Sequence, residues 1–78
     1  MIKKQNRLVI TFHTTEEAMM METVCKQEQM DGRLIPVPGF ISAGCGLAWC
    51  AGPTHEEELR TLMQENGIVP QEILVCLI

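Results

Sequence analysis

Four cysteines and two histidines are the side chains in this sequence best suited to covalent or metal chemistry. One of the cysteines, Cys45, stands between Gly44 and Gly46, in a stretch that also holds Ser42. Flanking glycines leave a sulfur unshielded and let a partner's backbone come close. A thiolate is the reactive form of cysteine, and an electropositive setting such as a helix N-terminus raises its content. His13 and Thr14 stand where the first helix is expected to begin, so they are candidates to support such a thiolate. The site expected from sequence is therefore Cys45 as the reacting thiol, with Ser42, Gly44, Gly46, His13 and Thr14 around it. The same pattern also fits a plainer reading, a small residue in a tight loop before a strand.

The remaining candidates point to structure. Cys25 falls on the apolar stripe of a helix, and Cys76 alternates with Leu74 and Ile78, so both read as packing. If residues 47–51 are extended, Cys45 and Cys50 lie about 16 Å apart at ~3.3 Å per residue. A disulfide needs Cα atoms within about 7 Å, so this pair cannot form one, and Cys50 reads as a small strand residue. No C-x-x-C pair occurs and the sulfurs are scattered, which disfavours an intramolecular zinc site. His55 and the run Glu56-Glu57-Glu58 fit a solvated helix start rather than catalytic acids. No Gly-Lys-Ser/Thr follows Gly39 or Gly44, so no phosphate loop and no cofactor is called for.

These residues must be positioned by few elements. Leu8, Ile10 and Phe12 alternate with Val9, Thr11 and His13, giving a strand over Arg7–His13. Thr14 followed by Glu17 has capping-box spacing, and the helix it opens runs to about Met30, with Gly32 taking the left-handed turn. Arg33–Val37 forms a short edge strand, since Pro36 and Pro38 cannot donate to a ladder. The Cys45 loop follows, then a strand over Leu47–Ala51. Thr54 and Glu57 repeat the capping-box spacing, and Leu59, Leu62 and Met63 give the second helix its buried side. Gly67 with Ile68 closes it in a Schellman-type cap, and Glu72–Ile78 is the last strand. The order β-α-β-β-α-β predicts an α+β, ferredoxin-like two-layer sandwich with an antiparallel sheet in the order 4-1-3-2. Residues 1–6 read as a tail and 7–78 as the single domain. In that topology the Cys45 loop and the start of the first helix share one end.

Composition narrows the function further. Apolar residues make up 46 % of the 78 positions but only Phe12, Phe40 and Trp49 are aromatic, and so small a core cannot also enclose a deep cavity. The formal charge is −4 and the six basic residues are scattered, which argues against nucleic acid. Apolar runs are too short to span a membrane, and the first residues lack the apolar stretch of a signal peptide, so the cytoplasm and reduced thiols are expected. The last strand is apolar on both faces: Ile73, Val75 and Leu77 on one, Leu74, Cys76 and Ile78 on the other. Helices can cover one of these faces, so a homodimer or larger assembly is expected to cover the second.

The string Gly32-Arg33-Leu34-Ile35-Pro36-Val37-Pro38-Gly39-Phe40-Ile41-Ser42-Ala43-Gly44-Cys45-Gly46-Leu47-Ala48-Trp49 resembles the signature of a family of short bacterial proteins. That family is the domain of unknown function DUF3343, described as Putative Se/S carrier protein-like. Residues 8–15 and the stretch Glu65-Asn66-Gly67-Ile68 resemble it as well, so the likeness covers nearly the whole chain. The resemblance implies a carrier that holds sulfur or selenium on Cys45 as a persulfide or selenopersulfide. A cysteine-desulfurase-type donor and an acceptor protein would be its partners. At the position of Cys50 the chain departs from a family tendency toward a basic residue. On this reading the protein is a carrier rather than a self-sufficient enzyme. The alternative is a dimeric small-ligand-binding or regulatory module with no covalent chemistry.

Overall fold

A computed structural model describes residues 5–41 and 44–78. Its elements in chain order are β1 (Asn6–Phe12), α1 (Thr15–Gln27), β2 (Arg33–Pro36), β3 (Leu47–Ala51), a 3-10 turn (Pro53–His55), α2 (Glu56–Glu65) and β4 (Pro70–Leu77). The four strands form one sheet in the order β2-β3-β1-β4, which is 4-1-3-2 read from the other edge. Every neighbouring pair is antiparallel. This is the ferredoxin-like α+β sandwich expected from the element order.

Period-two alternation decides which side chains meet the helices. Leu8, Ile10 and Phe12 of β1 and Trp49 and Ala51 of β3 join the core, while Val9 and Thr11 lie on the opposite face. From α1 the core receives Ala18, Met21, Val24 and Cys25, and from α2 it receives Leu59, Leu62 and Met63. The positions repeat every three or four residues, so each helix buries one stripe and leaves the other wet.

The helix ends show where local signals hold and where they give way. Thr14 caps α1, its hydroxyl accepting the Glu17 backbone N–H at 3.2 Å. The α1 C-terminus closes earlier than the sequence suggests. Gln29 takes the left-handed backbone that closes the helix, with φ 55°, and Gly32, at φ 124°, follows three residues later. The Met30 N–H then reaches the Cys25 carbonyl at 2.8 Å and the Gln29 N–H the Lys26 carbonyl at 3.2 Å, a Schellman pattern built without glycine. Gly32 serves another need. A Cβ there would run into the Trp49 indole and lie 2.7 Å from the Cys50 carbonyl oxygen, so only glycine lets this loop rest on β3.

Thr54 does not cap α2. Pro53 at the start of the 3-10 turn favours three tight residues, and the cap position passes to His55 with no side-chain capping bond. His55 is not a free surface residue either: its ring lies 3.4 Å from Glu58 and 4.0 Å from Asp31. At the other end of α2 the Ile68 N–H meets the Met63 carbonyl at 2.9 Å and Gly67 has φ 69°, the Schellman cap expected there. β4 starts at Pro70, two residues before the expected Glu72. At its far end Ile78 and Gln5 exchange two 3.0 Å bonds, so the ladder reaches into the stretch read as a tail.

Candidate functional site

The loop after β2 returns to the sheet through Gly44, Cys45 and Gly46. Gly46 has φ 76°, a conformation that strains a side chain, and its carbonyl accepts the Val37 N–H at 3.0 Å. These two features close the loop directly behind Cys45. Gly44 lies against the end of β1, where a Cβ would stand 3.2 Å from the His13 carbonyl oxygen. Its N–H donates to the Gln71 side-chain oxygen at 3.2 Å.

Gln71 is a site residue with no local signal in the sequence. The β1–β4 register pairs Thr11 with Glu72 and Phe12 with Pro70, leaving Gln71 as the extra residue of a bulge. A bulge re-aims the side chain of its unpaired residue. Here it frees Gln71 to hold a loop 27 positions earlier in the chain. The Thr11 hydroxyl, fully buried, accepts the Glu72 N–H at 3.0 Å and completes the ladder beside the bulge.

Cys45 itself is half-buried and packs against the core. Its sulfur is thus more sheltered than its glycine neighbours suggest. Sγ lies 3.2 Å from the Leu47 carbonyl oxygen, to which the thiol donates, and 3.4 Å from the Leu47 N–H, which donates to sulfur. One donor and one acceptor therefore meet the same sulfur. A thiolate keeps the N–H contact and gives up the S–H contact to the carbonyl.

The structure brings Gly44, Cys45 and Gly46 to the end of the sheet at which α1 begins. His13 joins them through its main chain; among the described residues no hydrogen bond links its ring to Cys45. Thr14 is committed to the helix cap, and its hydroxyl also donates to the Glu17 carboxylate at 3.2 Å. Ser42 lies outside the described residues.

The other thiols differ in setting. Cys25 is completely buried in the core, and burial pushes its pKa up to about 11. Burial likewise pushes Cys50 up, against the pull of the Arg7 and Arg33 guanidiniums. Both are protonated and shielded at neutral pH. Cys76 is half-buried on the helix-free face of β4, across from Arg7. All four cysteines are free thiols.

With this geometry in view, comparison with known families is decisive for kinship. The profile of the family described as Putative Se/S carrier protein-like matches residues 7–75. The chain belongs to that family. No curated protein and no solved structure matches it. Membership in the Se/S carrier-like family connects this fold with sulfur-transfer partners in general terms. Among the described residues no helix is long and apolar enough to cross a membrane.

Proposed function

We propose that this protein carries sulfur or selenium as a persulfide or selenopersulfide on Cys45 and relays it between partner proteins. The observation that carries the reading is the sulfur of Cys45 held over the Leu47 N–H, in a loop tied to Gln71 of β4 and resting on the His13 carbonyl at the end of β1. Membership in the Se/S carrier-like family supports it independently.

For sulfur the chemistry is a pair of exchanges. The Cys45 thiolate attacks the terminal sulfur of a persulfide on a cysteine-desulfurase-type donor. The donor's S–S bond breaks as the new one forms, and the donor leaves as a thiolate. An acceptor thiolate later attacks the same terminal atom, and Cys45 departs as the thiolate. Neither step has a net oxidation, so no further reductant or oxidant is needed. The Leu47 N–H serves both steps, because sulfur bears negative charge as attacker and again as leaving group. No base fixed in this chain is required, and the protein acts as a carrier rather than a catalyst.

In this reading the chain works in a reducing compartment such as the cytoplasm, where the thiol stays free. It works as a homodimer that covers apolar residues of the helix-free face such as Ile35 and Leu74 and leaves the end of that face bearing Arg7 and Arg33 open. Sedimentation of monomer alone at micromolar concentration contradicts the dimer.

The carrier reading is tested by incubating the protein with a desulfurase and cysteine, followed by intact mass measurement. A gain of sulfur that is lost in Cys45→Ser and survives in Cys25→Ser and Cys76→Ser is expected. No adduct, or one spread over every thiol, overturns the reading and favours a non-covalent binding module.

A further inference from the structure

A second polar site lies at the other end of β3, away from the Cys45 loop. The sheet register sets Arg33 directly across from Cys50, and Val9 across from Cys50 on its other side. Arg7 is two residues before Val9 and so shares its face, a diagonal neighbour of Cys50. Both guanidiniums act on the Cys50 sulfur electrostatically, which agrees with this placement. Arg7, Arg33 and Cys50, together with Asp31, Gly32 and Ala51, line a pocket of about 180 Å3.

The charges there are unbalanced. Among the described residues neither Arg7 nor Arg33 has an ion-pair partner, in a chain with ten acidic and six basic residues. Asp31 is the carboxylate of the pocket, and it is engaged elsewhere: it accepts the Gly52 N–H at 3.3 Å and lies 4.0 Å from the His55 ring. The Cys50 thiol, 6 % exposed, is kept neutral by burial and adds no negative charge. Two guanidiniums against one carboxylate leave this small concavity with a net positive charge, which suits an anion. Arginine binds oxyanions through paired N–H donors, which a compact tetrahedral or pyramidal anion can accept from two sides.

We propose that the pocket between Arg7, Arg33 and Cys50 binds a small inorganic oxyanion of the sulfate, phosphate or selenite class. Arg7 and Arg33 are its ligands. The site is separate from Cys45 and stands whether or not that thiol carries sulfur.

Titration of the whole native protein with sodium sulfate, against sodium chloride at matched ionic strength, tests it by amide and arginine side-chain NMR. Saturable shifts centred on Arg7, Gly32, Arg33 and Cys50 are expected with sulfate alone. In Arg33→Gln and Arg7→Gln the affinity should weaken about tenfold or more, the loss of a charge-assisted contact. Cys45→Ser should bind as the native protein does. Shifts that chloride reproduces, saturable shifts centred elsewhere, or arginine variants that bind unchanged would each overturn the proposal. So would binding of an acidic peptide such as hexaglutamate without binding of sulfate, which would mark a protein-docking patch instead. The wild-type titration stands by itself if either arginine variant fails to fold.

Discussion

Cys45 and Cys25 show how position sets the chemistry open to a thiol: one lies half-buried on a loop, the other deep in the core. Cys25 sits in the core with its sulfur desolvated, so its neutral form is favoured on folding. Its pKa rises from 9.0 to about 11, and the folded state therefore holds its proton more tightly than the unfolded chain. That contribution is fully present below pH 9 and is lost as pH climbs toward 11. Urea titrations at pH 8 and pH 11 should show stability falling by roughly 2–3 kcal/mol across this window. In Cys25→Ala the fall should be largely absent, apart from the titration of other groups. Cys45 was legible in the sequence as a glycine-flanked thiol, because glycine spacing is a local signal. Its contact with Leu47 was not legible, since it depends on how the chain turns at Gly46.

At the scale of elements, the caps that use the expected residue types were readable and those that do not were missed. Thr14 and Gly67 announce themselves, while Gln29 ends α1 with the wrong residue for a left-handed turn. Such a turn costs an L-residue about 1 kcal/mol or more, so Gln29→Gly should raise stability by about 1 kcal/mol, read from the urea midpoint. An unchanged or lowered midpoint would show that Gln29 makes up that cost through its side chain. The Thr54–Glu57 spacing fails to cap α2 because Pro53 opens a 3-10 turn there. The β4 bulge was invisible for a different reason. No glycine marks it, and its purpose is a contact across 27 positions. Gln71→Ala should cost about 1 kcal/mol and speed hydrogen exchange at the Gly44 amide, with little change in the α2 amides. Exchange at Gly44 that does not change would remove Gln71 from the site.

For the molecule as a whole, the element order settled the ferredoxin-like sandwich because each strand and helix follows its own hydrophobic period. That topology brings the β2–β3 loop to the end of β1 and the start of α1, and the Gly44–His13 approach realises it in atoms. The chain is acidic and thinly aromatic and its core is small, so the proposed chemistry falls to a loop and a small surface pocket. A carrier built this way needs one thiol that trades sulfur and others that stay out of reach. Peptide mapping of the wild-type protein after reaction with a desulfurase and cysteine tests this most directly, with all four thiols competing in the native fold. The account expects the transferred sulfur on the Cys45 peptide, with Cys25 and Cys50 unmodified. Sulfur found chiefly on Cys76, or divided evenly among the four, would contradict it.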